Sequence, residues 1–430
     1  MRPEKDIFSA PSVNSLTGII SLVKTGQEYL LTLGIDDITG IIDKVSRSWS
    51  DRNNTLQQRF GSSGLNYLLY WFRKKHLSQI IHNSLRTNRK VLDSFCETTG
   101  IPYKLKANPR GIISHWLAGN VPMLGMLSLV QGLLTKNANI LKVPRQNGEV
   151  IPLLLNSFNG VVYENEAGVQ IHGSELIKSV AAIYFERDDM EAQKTLSLHS
   201  NVRVAWGGMD AVELVMNLPR RYGCEDVIFG PRTSFIVIGK EFLESYEQAK
   251  TCASRSSIDA SIFEQQGCNS PHTVFVEKGG QVTPLEFAGL LGDAMAETLK
   301  RFPKGELSPG DTLKILNLRT QYDMMGEAFY PSDMAWTVLY GEDDTGLATP
   351  CFNRTLFVRP VDDVMEVVDY CNHLTQTAGI ALSEKRRETF VSQVTARGID
   401  RCPDLGAMSS YDTPWDGMFV VDRFVRWSKL

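Results

Sequence analysis

The sequence contains no apolar run long enough to cross a membrane. Its longest such run, Val121 to Leu134, is broken by Ser128 and Gln131 among other residues, whereas a membrane-spanning helix needs about 20 predominantly apolar residues. Met1 to Asp6 are not followed by the apolar core of a secretory signal. We therefore expect neither a membrane span nor a signal peptide in this sequence.

An excess of basic residues is also absent. Lys and Arg number 45 against 49 Asp and Glu, which leaves a net charge of -4, so nucleic acid is not an expected partner. The seven cysteines form no CxxC pair and no Cys/His cluster with the spacing of metal ligands. This excludes a disulfide framework and a recognisable metal site, and it favours a reducing, cytoplasmic setting.

The chain is long enough for two or three domains with cores of their own. It has 430 residues, of which 43% are hydrophobic and 22% charged, as in an ordinary globular protein. Residues 1 to 100 are predicted to be a helical lead-in that ends with a helix over Ser84 to Gly100. A further helix is predicted over Val361 to Thr375.

A strand, a helix and a second strand follow one another after residue 110. Ile112 to Leu117 and Ala138 to Val143 suit buried strands, and Pro122 suits the first turn of the helix between them. This pattern predicts a βαβ unit and hence a parallel sheet. Asn120 then follows the carboxyl end of a strand, where open α/β sheets bind ligands. A helix cap is an equally good interpretation of Asn120 at this point.

The second feature of this region is a double glycine. Gly207 and Gly208 stand between the predicted strand Val202 to Trp206 and a helix that begins near Ala211. Such a turn lets a pyrophosphate approach the backbone at a helix N-terminus. The motif is weak because it is not GxGxxG.

A cysteine stands on a predicted turn in the second half of the chain. Cys268 follows Gly267 and precedes Asn269, Ser270 and Pro271, ahead of a strand predicted over Thr273 to Val276. A turn of this kind presents a side chain outward and offers backbone N–H groups to whatever the side chain touches. A thiolate nucleophile with its own amide as an oxyanion donor would need this geometry. The alternative is a small buried apolar residue.

The order of these motifs resembles the aldehyde dehydrogenase superfamily and, more closely, the LuxC-type acyl-CoA reductases. The segments that carry the resemblance are His115 to Pro122, Ala205 to Gly208, and Glu264 to Pro271. The resemblance covers roughly residues 100 to 425. It implies an α/β fold in which a parallel-sheet, Rossmann-type cofactor domain is joined to an α/β catalytic domain.

The resemblance also implies roles for individual residues. Cys268 would attack the acyl carbonyl, and the resulting oxyanion would be held by the Asn120 side chain and the N–H of Cys268. Lys142 would contact the adenosine ribose, and Gly207 and Gly208 would lie by the pyrophosphate. The implied reaction is the NADPH-dependent reduction of an acyl thioester to the aldehyde through an acyl-cysteine.

Two departures from the superfamily pattern bear on the reaction and the nucleotide. Ile228 stands where oxidising aldehyde dehydrogenases carry a general-base glutamate, which favours reduction over hydrolysis to the acid. Arg145 stands where many NAD-using relatives carry a ribose-binding glutamate, and a guanidinium attracts a 2′-phosphate, so NADPH is the expected cofactor. The glutamate that holds the nicotinamide ribose in those relatives is replaced within Thr349 to Asn353. The alternatives left open are an oxidative aldehyde dehydrogenase and a non-catalytic scaffold subunit.

The remaining expectations concern a histidine, the domains and the partners. His272 is expected to point to solvent at the start of its strand, with assistance to proton transfer as the alternative. The expected domains are 1–100, 101–239 for the nucleotide, 240–400 for catalysis, and 401–430 as a C-terminal return. The resemblance implies a homo-oligomer, for which Phe419 to Val421 would supply a pairing strand. It also implies an acyl-CoA or acyl-protein substrate and an acyl-protein synthetase or acyltransferase partner.

Overall fold

The computed structural model describes residues 13–121 and 123–430. The chain forms two compact units, the first made of residues up to 230 together with 412–430 and the second of residues 231–411. The unit boundary thus falls nine residues earlier than the expected one after residue 239. The reason is the strand Thr233–Ile238, which pairs with strands of the second unit.

The first unit begins with helices, as the sequence predicts. In Ile35–Ser48 the residues Ile35, Ile38, Ile41 and Val45 are buried at helical spacing and form the inward face. The lead-in helices are α1 Val13–Thr32, α2 Ile35–Ser48, α3 Thr55–Phe60, α4 Asn66–Trp71 and α5 Lys74–Leu85.

The predicted helix over Ser84 to Gly100 is wrong. Helix α5 ends at Leu85, because Arg86 adopts the left-handed conformation with φ 54°. Only the short 3₁₀ turn Arg89–Leu92 follows, and Cys96 then makes an antiparallel bridge to Leu105. The polar residues that suggested a helical face instead line a loop.

The first unit contains a five-stranded parallel sheet, whose strands lie in the order β6 (Val180–Ile183), β3 (Ala138–Lys142), β2 (Ile112–Trp116), β7 (Val202–Trp206) and β8 (Glu225–Phe229). The chain fills one side of β2 first and then returns to the other side, so the strand order reverses between β2 and β7. Open α/β sheets bind their ligands in the crevice at such a point, beyond the carboxyl ends of the strands. The elements are β1 Leu105–Pro109, β2 Ile112–Trp116, α6 Met123–Leu134, β3 Ala138–Lys142, α7 Val150–Asn156, β4 Val162–Glu164, β5 Gln170–His172, α8 Gly173–Leu176, β6 Val180–Ile183, α9 Met190–His199, β7 Val202–Trp206, α10 Met209–Asn217 and β8 Glu225–Phe229.

The second unit contains a six-stranded sheet that is parallel except for its edge strand β11. Its strands lie in the order β11 (Glu327–Phe329), β12 (Thr337–Tyr340), β13 (Thr355–Val361), β10 (Pro271–Glu277), β9 (Thr233–Ile238) and β14 (Thr375–Ala381). Ile236 and Ile238 pack into one core, while Phe235 and Val237 pack into a second core. The sheet is therefore buried on both faces, as parallel sheets usually are. The elements are β9 Thr233–Ile238, α11 Tyr246–Ser261, β10 Pro271–Glu277, α12 Pro284–Arg301, α13 Pro309–Met325, β11 Glu327–Phe329, β12 Thr337–Tyr340, β13 Thr355–Val361, β14 Thr375–Ala381 and α14 Glu384–Ala396.

The predicted helix over Val361 to Thr375 is also wrong. A 3₁₀ segment covers only Val364–Tyr370, and Thr375 already begins strand β14. This strand has a single full-length neighbour, β9, and its sequence TQTAGIA is too polar to indicate a buried strand. Its residues are nevertheless all buried.

The end of the chain returns to the first unit. Val420–Arg423 form a short helix, α15, and Val425–Lys429 form strand β15, which pairs antiparallel with β1 of the same chain. The expected use of Phe419 to Val421 as a strand that pairs across subunits is therefore wrong. The homo-oligomer itself stays a prediction.

Two further properties follow from the described residues. Within 13–121 and 123–430, no helix is both long and apolar enough to span a bilayer. Across the same ranges, no group of three or more His, Cys, Asp or Glu side chains is placed to hold a metal ion.

Candidate active site

Cys268 lies on a turn at the amino end of β10, where the sequence predicts it. Its side chain is half-buried, and the strand begins three residues later at Pro271. Gly267 leaves room for the Asn269 side chain, because a Cβ at residue 267 would approach Oδ1 of Asn269 to 2.6 Å. Asn269 in turn donates a hydrogen bond from Nδ2 to the carbonyl of Met408 at 2.9 Å. Small residues before and after the cysteine thus let the turn close tightly.

The segment before this turn has an unusual backbone. Phe263, Glu264 and Gln265 all have positive φ, between 53° and 60°, and so do the three residues Phe352 to Arg354, between 55° and 62°. A left-handed residue other than glycine costs roughly 1–2 kcal/mol. The two left-handed segments contact each other, since the Asn353 N–H donates to the Glu264 carbonyl at 2.9 Å.

Gln265 locks these two segments to the sheet. Its Nε2 donates to the carbonyls of Pro271 at 2.8 Å and Thr355 at 3.0 Å, and its Oε1 accepts from the Thr355 N–H at 2.7 Å. A salt bridge of 2.6 Å between Arg354 and Glu264 adds a charged link between the same segments. The position of the Cys268 turn is therefore imposed by a buried hydrogen-bond network.

The sulfur of Cys268 has a direct partner that the sequence did not indicate. Nε2 of Gln376, a buried residue of β14, lies 3.2 Å from Sγ and donates a hydrogen bond to it. Gln376 is 108 positions away along the chain, so no local motif could have revealed it. Ser234 of β9 makes a second link, because its hydroxyl donates to the Cys268 carbonyl at 2.7 Å.

The expectation that His272 points to solvent is wrong. Its side chain is buried, with only 3% of the residue exposed, and its ring lies edge-on to Phe352 at 5.2 Å between centroids. The pairing of β10 with β9 shifts register between Pro271 and Thr273, so His272 occupies a β-bulge. Burial lowers the pKa of His272 to about 4. The imidazole is thus neutral near pH 7 and is not the solvated residue expected at a strand start.

The residues predicted to bind the nucleotide all lie in the first unit, at the carboxyl edge of its sheet. Lys142 ends β3, and Gly207 and Gly208 connect β7 to α10. A Cβ at Gly207 would lie 3.0 Å from the Cβ of Ala211, whereas a Cβ at Gly208 would have no heavy atom within 4 Å. There is thus open space beside the backbone at the N-terminus of α10, where a phosphate group fits.

Lys142 is a half-buried cation at this edge. Its ammonium lies 5.7 Å from the ring centroid of Phe185, and burial lowers its pKa, opposed by the negative charge of Glu186. A desolvated ammonium gains more from a hydrogen-bonding ligand than a fully hydrated one does.

Arg145, which is predicted to bind the 2′-phosphate, has an acidic neighbour. Its Nη1 lies 3.8 Å from a carboxylate oxygen of Glu186, and both side chains are mostly exposed. The motif around Arg145 does not indicate Glu186, because Glu186 follows a different strand, β6. A phosphate at Arg145 would therefore share the guanidinium with a carboxylate.

Asn120 is exposed in the bend that follows β2, at the same edge as Lys142. Helix α6 begins at Met123, three residues later, so Asn120 does not occupy the position that directly caps the helix. Pro122, expected in the first turn, lies outside the described residues. Asn120, Lys142 and the two glycines thus follow neighbouring strands of one sheet, while Cys268 belongs to the second unit.

Beneath this edge lies a buried chain of hydrogen bonds around His115. The Ser128 hydroxyl lies 3.3 Å from Nε1 of Trp206 and 2.8 Å from Nδ1 of His115. On the other side of the His115 ring, Nε2 lies 3.1 Å from Oδ1 of Asn139. The Asn139 oxygen can only accept, so Nε2 carries a proton and donates it. The ring is neutral near pH 7 because it is buried away from water. Burial accordingly lowers the pKa of His115 to about 4. This chain links β2, β3, β7 and α6.

Comparisons with known proteins agree with this architecture. The family model for acyl-CoA reductase (LuxC) matches residues 30–427. A long-chain acyl-protein thioester reductase of Vibrio harveyi is 24% identical over 96% of this chain and 86% of its own length. One of Aliivibrio fischeri is 26% identical over 70% of this chain, a match that spans 60% of that protein's length.

Solved structures with a similar fold are aldehyde dehydrogenases. An NAD-dependent benzaldehyde dehydrogenase from Corynebacterium glutamicum has a TM-score of 0.63 and 13% identity over 98% of this chain and 91% of its own. A putative aldehyde dehydrogenase from Anabaena variabilis has a TM-score of 0.65 and 14% identity over 98% and 93%. These likenesses confirm the aldehyde dehydrogenase fold class. Because the family model covers most of the sequence, the chain belongs to the acyl-CoA reductase (LuxC) family of enzymes.

Proposed function

We propose that this chain reduces an acyl thioester to the aldehyde through a covalent intermediate on Cys268. The observation that carries the proposal is the placement of this thiol. It stands on a turn held by a buried network, with a hydrogen-bond donor at its sulfur. The relatives named long-chain acyl-protein thioester reductases support a long-chain acyl group on a protein thiol as the substrate, with acyl-CoA as the alternative donor.

In the first half of the reaction the Cys268 thiolate attacks the acyl carbonyl. A new C–S bond forms to Cys268, the old C–S bond breaks, and the departing thiolate takes a proton to become the free thiol. The Cys268 N–H and the side-chain amide of Asn120 are the proposed donors to the oxyanion of the tetrahedral intermediate. The product of this half is an enzyme thioester.

The second half consumes a reduced nicotinamide. When bound, this cofactor supplies the hydride that reduces the carbonyl carbon of the enzyme thioester. Collapse of the resulting tetrahedral adduct breaks its C–S bond, releases the aldehyde and regenerates the Cys268 thiolate. Lys142, Gly207 and Gly208 are the residues that would hold the nucleotide, since they provide a half-buried ammonium and an open glycine turn at a sheet edge.

We propose NADPH rather than NADH because of Arg145, whose guanidinium suits a 2′-phosphate. Glu186 lies 3.8 Å from that guanidinium and offsets part of its charge. The proposed preference for NADPH over NADH is therefore modest, because Arg145 favours the 2′-phosphate and Glu186 opposes it.

Oxidation of an aldehyde to the acid is the rival reaction. It needs a base to activate water against the enzyme thioester. The candidate position is occupied by Ile228, a half-buried residue that packs against the apolar core of the first unit. A side chain without a titratable group favours the reductive direction. We also propose that a protein partner loads the acyl group onto this chain. The chain is further proposed to form a homo-oligomer and to act in the cytoplasm.

The experiment follows NADPH consumption and aldehyde formation with a long-chain acyl-CoA. The wild type should turn over, and Cys268→Ala should not. Cys402→Ala, which removes a thiol elsewhere in the second unit, is the matched control and should keep the wild-type rate. Unchanged turnover in Cys268→Ala would refute the covalent mechanism, and acid formation from aldehyde and NADP⁺ would favour the oxidative rival. If acyl-CoA does not protect Cys268 from labelling by iodoacetamide, the result would favour a non-catalytic scaffold.

A further inference from the structure

A chain of hydrogen bonds in the second unit ends at the sulfur of Cys268. Gln376 Nε2 lies 3.2 Å from Sγ, and Oε1 of the same amide lies 3.3 Å from the Thr377 hydroxyl, which donates to it. The Thr377 oxygen lies 3.4 Å from Nη1 of Arg401. A positive charge thus stands at one end of the chain and the reactive thiol at the other.

The direction of the donors is the same along the whole chain. A guanidinium can only donate, so Thr377 Oγ1 accepts from Arg401 and is left to donate its own proton to Gln376 Oε1. Because Oε1 of Gln376 accepts the Thr377 hydroxyl proton, the amide is oriented with its Nε2–H toward the sulfur. Hydrogen bonds that share a direction polarise one another, so the charge of Arg401 strengthens the donor that Gln376 offers to Cys268.

A β-bulge brings Gln376 to this position. The pairing of β14 with β9 shifts register between Thr375 and Ala378, so β14 carries one extra residue there. Bulges re-aim side chains and are frequent beside active sites. The bulge is tied to the Cys268 turn by Ser234, whose hydroxyl accepts from the Thr377 N–H at 3.1 Å and donates to the Cys268 carbonyl at 2.7 Å.

We infer that Gln376 is a further catalytic residue, which stabilises the Cys268 thiolate, and that Thr377 and Arg401 are positioning residues that orient its amide. The inference rests on the proposed function, in which Cys268 is the nucleophile. An ordinary cysteine thiol has a pKa of about 8.5 and is mostly protonated at neutral pH. An N–H donor favours the charged form. The proton leaves to water, because the Cys268 side chain is partly exposed.

The same bond would act twice in each turnover. It stabilises the thiolate before the attack on the acyl carbonyl, and it stabilises the thiolate again when the adduct collapses and the aldehyde leaves. A neutral amide has an advantage over a lysine in this position. It stabilises the thiolate without forming an ion pair that would lower its nucleophilicity further.

The test is the pH dependence of Cys268 alkylation by iodoacetamide in the full-length protein, with no acyl donor or nucleotide present. The tryptic peptide Ser256 to Lys278 contains Cys268 and no other cysteine, and Val91 to Lys104 contains Cys96 as an internal reference in the first unit. Gln376→Met keeps the size of the side chain but removes the donor. We expect alkylation of Cys268 to be about tenfold slower at neutral pH, with the midpoint raised by about one pH unit, and that of Cys96 to be unchanged.

Two further variants separate positioning from folding. Thr377→Val keeps Gln376 but removes the hydroxyl that orients it, and should raise the Cys268 midpoint by a smaller amount. Thr375→Val, in the same strand, removes a hydroxyl that bonds the Asn372 backbone and should leave the midpoint unchanged.

Superimposable Cys268 profiles for the wild type and Gln376→Met would overturn the catalytic role of Gln376. If Gln376→Met does not fold, an unchanged midpoint in folded Thr377→Val overturns the inference, and a raised midpoint supports it. These titrations use no substrate. They are therefore independent of whether Cys268 accepts an acyl group, which is the point on which the proposed function fails or holds.

Discussion

Removal of the Gln265 side chain should destabilise the second unit strongly. Gln265 is fully buried and makes three hydrogen bonds of 2.7–3.0 Å to Pro271 and Thr355. Gln265→Ala leaves one buried N–H and two buried carbonyls without these partners, and each such group costs about 1–3 kcal/mol. A loss of about 4 kcal/mol in the free energy of unfolding is expected.

The backbone at this position adds a second, more specific expectation. Gln265 has φ 60°, a conformation that glycine adopts more easily than alanine. In ordinary helices and strands glycine is less stable than alanine by roughly 0.5–1 kcal/mol. At residue 265 this order should be reversed, so Gln265→Gly should be at least as stable as Gln265→Ala although both lose the same hydrogen bonds.

Urea unfolding of the full-length variants, followed by far-UV circular dichroism, measures both effects. Gln248→Ala, which removes an exposed carboxamide on α11, is the matched control and should stay within about 0.5 kcal/mol of the wild type. A Gln265→Ala protein with a stability that matches this control would show that the three Gln265 hydrogen bonds do not stabilise the second unit. A Gln265→Gly variant that is clearly less stable than Gln265→Ala would contradict the expected order of the two variants.

Three other predictions concern the first unit. Burial holds the pKa of His115 at about 4 against 6.5 for an ordinary histidine, so the unfolded chain binds the proton first as pH falls. His115 should therefore lower the free energy of unfolding by about 2 kcal/mol between about pH 7.5 and pH 5. The urea midpoints of His115→Gln should show a correspondingly smaller pH dependence. Arg145→Ala should lower the ratio of kcat/KM for NADPH to that for NADH by about tenfold, a loss of roughly 1.4 kcal/mol. Glu186→Gln should raise the same ratio. A constant ratio in both variants would contradict the assigned preference for NADPH. Asn120→Ala should lower kcat by about 100- to 1000-fold with little change in stability, and a near-normal kcat would remove Asn120 from the oxyanion site.

The local features of the site could be predicted from the sequence. The βαβ unit after residue 110 is a strong pattern, because two apolar strands flank a helix that is apolar almost all round. The turn at Cys268 is equally local, since Gly267 and Pro271 limit what the backbone can do on either side. Both were placed correctly.

The contacts that act on Cys268 could not be predicted in this way. Gln376 lies in a strand of mostly small and polar residues, and only the register shift against β9 turns its amide to the sulfur. The burial of His272 depends on another bulge of the same kind. A register shift comes from the pairing of strands that are distant in sequence, and no property of a single segment reports it.

Whether Cys268 holds the acyl group as a thioester can be measured directly by peptide mass spectrometry. The protein is mixed with a long-chain acyl-CoA in the absence of nucleotide and then digested. We expect one acyl group per chain on the peptide Ser256 to Lys278, loss of this group as aldehyde when NADPH is added before digestion, and no adduct in Cys268→Ala. An unmodified wild-type peptide, or an acyl group on another cysteine instead, would rule out Cys268 as the residue that carries the acyl group.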